Sequence, residues 1–263
     1  MSPPPRRRIV GVSTKMYFSA ARTKQYVHEL LHIISSSPPS PPNLLDQLDV
    51  FIIPDHITLT SVVSQLEGTN ILTGAQDAFS EDTGAYTGEV SPAVLAEVGC
   101  RIVELGHAER RRMFGETDGD TARKAAAAAR HGMTPLVCIG ERTKGEGGEA
   151  TATATAVDEC KPQIEAVLAS LPDDADVVLA YEPVWAIGAA EPAGAQHVVG
   201  VTREIRALEC VRRRKGTTRI LYGGSAGPGL FEQLKDGVDG LFLGRLAHDP
   251  AQFYRTILEV AAA

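Results

Sequence analysis

Short β-rich runs recur along the whole chain, and helical segments separate each run from the next. Most runs are continuously apolar, which is typical of parallel strands buried on both faces. The predicted strands are Ile9–Thr14, Val50–Pro54, Ile71–Gln76, Arg101–Leu105, Pro135–Ile139, Val177–Glu182, Arg219–Tyr222 and Gly240–Leu243. The predicted helices are Ala20–Ile34, Ile57–Leu66, Thr121–His131, Val157–Leu171, His197–Arg213, Leu230–Lys235 and Ala251–Val260.

Repetition of this strand–helix unit indicates parallel strands joined by right-handed crossovers. Eight units favour a closed barrel, because an open doubly wound sheet usually has about five or six strands. The chain has 263 residues, and one such barrel needs roughly 250. We therefore predict an α/β fold with a single (β/α)8 barrel over residues 8–263, preceded by a flexible tail over residues 1–7.

Composition excludes several classes of protein. Hydrophobic residues make up 43% and charged residues 22%, as in ordinary globular proteins. The formal net charge of −7 does not suit nucleic acid or an anionic membrane as a partner. No apolar run approaches the roughly 18 residues of a membrane span, and no dinucleotide or P-loop fingerprint is present. Four dispersed cysteines favour a reducing, cytoplasmic setting. We expect neither a metal nor a cofactor.

Polar segments follow four of the predicted strands. In barrels of this kind the active site lies at the carboxyl ends of the strands, so these segments are expected to meet there. They are Thr14–Met16, Glu104–Arg111, Ala180–Gly188 and Tyr222–Ser225.

These segments closely resemble the triosephosphate isomerase family. Further matching segments are Gly84–Glu89, Phe114–Glu116 and Cys138–Glu141, and the resemblance runs from about residue 9 to the end. It implies a barrel enzyme that moves a proton between adjacent carbons of a small phosphorylated sugar and so interconverts ketose and aldose.

The resemblance implies a role for each polar residue. Glu182 is expected to be the catalytic base. His107 is expected to be a neutral electrophile, because residues 108–111 look like the first turn of a helix, whose positive end disfavours imidazolium. Lys15 supplies a fixed positive charge for the developing oxyanion. Glu109 is expected either to contact Lys15 without touching the substrate or to form a purely structural salt bridge.

The phosphate is expected to be held by backbone N–H groups. The candidates are Gly188 in a lid, Ser225 after the seventh strand and Gly244 after the eighth, since glycine lets the backbone approach an anion closely. Arg245 follows immediately. It is expected either to grip the phosphate with two hydrogen bonds or to point to solvent.

Several positions depart from the resembled family. That family usually has Asn where this chain has Ser13, and Gly where it has Arg245. The shorter Ser13 leaves room for about one hydroxymethyl group at the end of the pocket away from the phosphate. The first prediction is a triose-phosphate isomerase of glycolysis and gluconeogenesis, which interconverts dihydroxyacetone phosphate and glyceraldehyde 3-phosphate through an enediolate. The alternative is an isomerase of a four-carbon ketose phosphate such as erythrulose phosphate.

Two remoter alternatives remain. Residues 28–32 match HExxH, which in zinc peptidases places two histidine ligands on one helix face, but no third ligand follows in the chain. The second remote alternative is a barrel without catalytic activity that serves as a binding or structural protein.

The Asp77–Gly88 segment is long for a loop in this fold. In the resembled family the corresponding loop docks into a partner subunit, so we expect a homodimer in which Thr87 reaches across.

Overall fold

Eight parallel strands form a closed barrel in a computed structural model that describes residues 7–37, 44–187 and 193–263. Each strand pairs with the next in the chain, and the last pairs with the first. The strands are β1 (Arg8–Ser13), β2 (Leu48–Ile53), β3 (Ile71–Ala75), β4 (Ile102–Leu105), β5 (Thr134–Ile139), β6 (Val177–Tyr181), β7 (Thr218–Tyr222) and β8 (Gly240–Leu243). The predicted (β/α)8 barrel is confirmed.

Helices form an outer ring in which neighbours pack together, as α1 does with α3 and α11. They are α1 (Ala20–Ser36), α2 (Leu44–Gln47), α3 (Leu59–Leu66), α4 (Pro92–Glu97), α5 (Ala108–Phe114), α6 (Asp118–Arg130), α7 (Glu149–Ser170), α8 (Ala195–Ala207), α9 (Glu209–Arg212), α10 (Phe231–Leu234) and α11 (Pro250–Ala262). Short 3₁₀ turns occupy Val184–Ala186 and Arg245–Ala247. Within the described residues, no helix is long and apolar enough to cross a membrane.

The barrel interior and the layer between barrel and helices are separate cores. Successive side chains of a strand point to opposite faces, so alternate residues fill the two layers. Gly11 of β1 lies on the inner face, where an added Cβ would stand 2.2 Å from the ring of Phe51. The buried residues of the inner core are Ile9, Phe51, Ile53, Ile102, Leu136, Cys138, Val178, Ala180, Leu221 and Phe242.

The predicted strand limits agree with the structure to within two residues, but several helices differ. The single helix predicted over His197–Arg213 is divided into α8 and α9, because Leu208 adopts extended backbone (φ −55°, ψ 137°). Helix α7 begins at Glu149 rather than Val157, since its Ala- and Thr-rich first turns carry few large apolar residues. Helices α2 and α4 were not predicted, and only the first turn of α5 was.

The loop after β3 is anchored at its base and exposed at its tip. Asp77 at the base forms ion pairs of 2.8 Å with both Lys124 and Arg110. Within the loop, the rings of Phe79 and Tyr86 lie 4.6 Å apart. Thr87 is exposed. These contacts give the loop a defined shape that presents Thr87 to the surroundings.

Candidate active site

Glu182 directly follows β6, and its side chain enters the barrel mouth with only 3% exposure. Its backbone N–H donates to the Ile139 carbonyl at 2.8 Å, which fixes the residue against the end of β5. The Cys138 thiol lies 3.8 Å from Oε1. The carboxylate is thus held away from solvent, where its charged form is poorly hydrated.

Two glycines make room for Glu182. A Cβ at Gly140 would stand 1.9 Å from the Glu182 carbonyl oxygen, and one at Gly223 would stand 2.6 Å from its Cγ. Both glycines lie in segments that match the family pattern, but no role for them was predicted from the sequence. The close approach joins three different strand ends, so no local pattern reveals it.

His107 caps the N-terminus of α5. The Glu109 backbone N–H donates to its Nδ1 at 3.1 Å, which makes Nδ1 an acceptor and places the proton of the neutral ring on Nε2. Nε2 lies 3.3 Å from Glu182 Oε2. Burial and the positive charge of Lys15 lower the pKa of His107 to about 4. His107 therefore presents a neutral N–H donor toward the space beside Glu182.

Lys15 follows β1 in the left-handed backbone region, at φ +48°. This conformation is uncommon for a residue with a side chain and recurs at functional sites. Gln76 Nε2 holds it by donating to the Lys15 carbonyl at 2.9 Å. The ammonium lies 3.4 Å from His107 Nε2. Lys15, His107 and Glu182 thus form one cluster, as the sequence predicted.

Glu109 forms an ion pair with Lys15, with 2.8 Å between Oε1 and Nζ. Burial lowers the pKa of Lys15, but the hydrogen bond and charge of Glu109 outweigh it, so the net shift is upward. Burial raises the pKa of Glu109, but Lys15 and His107 lower it by more, so the net shift is downward. Each group keeps the other charged, and the pair positions the ammonium.

Glu182 has its pKa raised to about 8 by burial and then by the neighbouring charge of Glu104, against the opposing charge of Lys15. The base expected at Glu182 acts only when deprotonated, so we expect activity to be lost as pH falls below this pKa. We predict that kcat/KM rises with pH and levels off above about 8.

The pH profile of kcat/KM checks this prediction. Glu104→Gln removes the neighbouring charge, so it should move the acid limb to lower pH. A limb from the second ionisation of the substrate phosphate, near pH 6, would not move with that substitution. A wild-type limb near the ordinary carboxyl pKa of 4.5 would contradict the prediction.

Glu141 anchors the first residues of the predicted lid. It is fully buried at the end of β5, and its Oε1 accepts from Trp185 Nε1 at 2.7 Å and from the Tyr181 hydroxyl at 3.1 Å. His197 Nε2 lies 3.1 Å from the same oxygen. The sequence pattern included Glu141 but did not predict this contact, which joins residues far apart in the chain.

The phosphate candidates lie at the same end of the barrel. Ser225 is exposed in the loop after β7, and Gly244 is half-buried at the start of the 3₁₀ turn after β8. A Cβ on Gly244 would meet nothing within 4 Å, so open space adjoins its backbone. Arg245 is exposed. Gly188 lies outside the described residues.

A cavity of about 890 Å³ opens beside Glu182. It runs outward between the loops after β4, β5 and β6, and its walls include Glu109, Cys138 and Ile187. Ser225 and Gly244 do not line it, so the phosphate candidates lie apart from this cavity.

The HExxH residues lie on α1 in the outer ring. His28 and His32 are exposed, and Glu29 pairs with Arg22 at 2.9 Å. In the described parts of the chain, no three His, Cys, Asp or Glu side chains are grouped as a metal site requires. The four cysteines are free thiols.

The sequence model of triosephosphate isomerase matches residues 8–260. The chain belongs to the triosephosphate isomerase family. A triosephosphate isomerase of Thermoanaerobacter pseudethanolicus is 36% identical over 91% of this chain and 94% of its own length.

Proteins named for a different substrate are also similar to this chain. An L-erythrulose-1-phosphate isomerase of Pectobacterium atrosepticum is 45% identical over 94% of this chain and 93% of its own length. Another, from Rhizobium meliloti, is 42% identical over 81% and 84%.

Family membership makes the chain a sugar-phosphate isomerase that moves a carbonyl group between adjacent carbons, the class that includes the aldose–ketose isomerases. The zinc-peptidase and non-catalytic alternatives are therefore wrong. Two histidines one helical turn apart are a short pattern, and here they lie on the outer ring, away from the strand ends where the polar cluster forms.

Proposed function

We propose that this enzyme isomerises a four-carbon ketose phosphate, erythrulose 1-phosphate, in preference to a triose phosphate. The sequence-based prediction put the triose first, and similarity to the erythrulose-phosphate enzymes favours the alternative. The observation that carries the proposal is Ser13. It lies at the carboxyl end of β1 with 2% exposure, two residues before Lys15, where the family usually has the longer Asn.

The reaction follows from the cluster. Glu182 removes the proton from C3, next to the C2 carbonyl, while His107 Nε2–H and the Lys15 ammonium stabilise the negative charge on the carbonyl oxygen. His107 moves a proton between the two oxygens of the enediolate. Glu182 then returns its proton to C2. The carbonyl ends at C3, so the product is again a ketose, erythrulose 4-phosphate. A triose treated in the same way gives an aldose.

The enediolate must be shielded from water, because it otherwise expels phosphate. We assign this shielding to a lid that begins at Pro183 and is anchored through Trp185 to Glu141. Backbone groups at Gly188, Ser225 and Gly244 are proposed to hold the phosphate, with the exposed Arg245 as a further donor at the rim.

A triose-phosphate isomerase is the second candidate, favoured by the 36% identical relative and by the same catalytic cluster. Steady-state kcat/KM for both substrates separates the candidates. We expect a higher value for the four-carbon substrate in the wild type, and a shift toward the triose by about 10–100-fold in Ser13→Asn, whose amide refills the space. A wild type that prefers the triose, with a ratio unchanged by Ser13→Asn, would leave the substitution without a role in specificity.

We propose a homodimer built around the loop that carries Thr87. Large apolar side chains exposed at the barrel mouth favour this: Met16 is 95% exposed and Phe114 66%. Light scattering at micromolar concentration should give twice the chain mass of 28.0 kDa. A fully active monomer would contradict the proposal. Cytoplasmic location stays a prediction.

A further inference from the structure

Glu104 is a second carboxyl group buried at the barrel mouth, and the proton transfer described above does not use it. It lies on β4 two residues after Ile102, which belongs to the inner core, so both side chains point into the barrel. Glu104 is 4% exposed. Its Oε2 is buried without a hydrogen-bond partner among the described residues.

Ser13 lies near this carboxyl group. Ser13 follows Ile9 and Gly11 in the alternation of β1, and Ile9 belongs to the inner core, so the Ser13 side chain also points inward. Its hydroxyl oxygen is likewise buried with no hydrogen-bond partner in the part of the chain that the structure describes. The hydroxyl is close enough to Glu104 to favour its charged form. Two unsatisfied polar groups therefore adjoin each other.

Buried polar atoms are almost always hydrogen-bonded, and a single hydrogen bond between Ser13 and Glu104 would still leave one of the two carboxyl oxygens unpaired, so this position lacks a polar partner. Burial raises the pKa of Glu104 to about 7, against the opposing effects of the Lys15 charge and the Ser13 hydroxyl. A carboxyl group in this state can accept or donate a hydrogen bond. A ligand hydroxyl, which both donates and accepts, satisfies Ser13 and Glu104 together.

The position of the pair suits the far end of the substrate. Glu104 is close enough to Glu182 to raise the pKa of that base, and close enough to Lys15 to feel its charge. Ser13 ends β1 two residues before Lys15, and Glu104 lies on β4 three residues before His107, so the pair lies at the end of the barrel that holds Lys15, His107 and Glu182. The proposal below places it beside the carbon that loses its proton. In a four-carbon ketose phosphate this carbon carries a hydroxymethyl group, whereas in a triose phosphate it carries a second hydrogen.

We propose that Ser13 and Glu104 form a specificity subsite that binds the terminal hydroxyl group of a four-carbon ketose phosphate. The hydroxyl donates to Glu104 Oε2 and accepts from Ser13 Oγ. A triose phosphate leaves both groups unpaired, and sites built to bond a hydroxyl reject analogues that lack it. The subsite deepens the proposed function and rests on it.

The kinetic test uses Ser13→Ala, Glu104→Leu and Glu104→Gln. Each is expected to lower kcat/KM for the four-carbon substrate about 10–100-fold more than for the triose. Glu104→Gln, which keeps a carbonyl acceptor, should show the smallest change in the ratio of the two kcat/KM values. It also keeps the test valid if Glu104→Leu fails to fold. Thr73→Val is the matched control, because Thr73 is equally buried (4% exposed) on β3 but faces outward, so the ratio should not change.

A binding test separates failure of the subsite from failure of the proposed function. Erythritol 4-phosphate and glycerol 3-phosphate lack a carbonyl and serve as inhibitors that are not turned over. Their Ki ratio in the wild type should favour the four-carbon ligand, and Ser13→Ala and Glu104→Leu should each abolish that preference. A wild type that turns over only trioses overturns the proposed function. A wild type that prefers the four-carbon substrate, with Ki and kcat/KM ratios unchanged in the variants, overturns the subsite.

Discussion

Glu182→Gln is expected to lower kcat by about 10²–10⁴-fold on either substrate, because the amide cannot accept the proton. The fold should persist, since the backbone bond from Glu182 to Ile139 does not depend on the side chain. Removing a buried carboxyl group with a raised pKa also relieves a destabilisation of the fold that grows as pH rises from the ordinary carboxyl pKa of 4.5 and is complete above about 8. Initial rates with each substrate measure the loss.

The control for this variant is ligand binding. Trp185 is the single tryptophan of the chain and lies at the start of the lid, so its fluorescence titration with a phosphorylated inhibitor should give nearly the wild-type Kd. Cys138→Ala changes a neighbour of the carboxylate without removing the base, and it should lose much less activity. Retention of more than about a tenth of wild-type kcat in Glu182→Gln would rule out Glu182 as the base.

Lys15→Met is expected to lower kcat by about 10²–10³-fold, the usual loss when one oxyanion-stabilising group is removed. The raised pKa of Lys15 keeps it charged throughout the working pH range, so the charge is present whenever the oxyanion develops. KM should rise as well, because the ammonium also attracts the substrate dianion. Steady-state kinetics over a wide substrate range separates the two effects.

Glu109→Gln tests whether that loss reflects the charge or the broken ion pair. The amide keeps a hydrogen-bond acceptor 2.8 Å from the ammonium but removes the negative charge. If Lys15 acts as an electrostatic group, this variant should lose at least about tenfold less activity than Lys15→Met. Equal losses would mean that the pair is needed for structure and that Lys15 has no separate catalytic effect.

The barrel and the grouping of Lys15, His107 and Glu182 were predictable because each depends on a local pattern. The strands are continuously apolar since they are buried on both faces, and the polar residues that follow β1, β4 and β6 meet at one end of a parallel barrel. His107, Glu182 and Lys15 each lie in such a segment, so the fold alone brings them together. The division of α8 from α9 at Leu208 was not predictable, because no glycine or proline marks this position in the sequence.

The surroundings of the cluster were less predictable because they depend on contacts between distant strands. Glu104 does leave a signal, an acidic residue inside the apolar run of β4, and period-two alternation places it on the inner face. Its lack of a partner becomes visible only when β1 and β4 are placed together. The three polar contacts of Glu141 and the fit of Gly223 against Glu182 likewise need the assembled barrel.

A competition between two substrates in one sample tests the central claim most directly. Equimolar erythrulose 1-phosphate and dihydroxyacetone phosphate are mixed with the enzyme, and ³¹P NMR follows both, so the ratio of their initial rates equals the ratio of kcat/KM. Glu182→Gln supplies the uncatalysed background. We expect the four-carbon substrate to disappear at least about tenfold faster, with a ketose 4-phosphate as its product. Faster consumption of dihydroxyacetone phosphate would contradict the account.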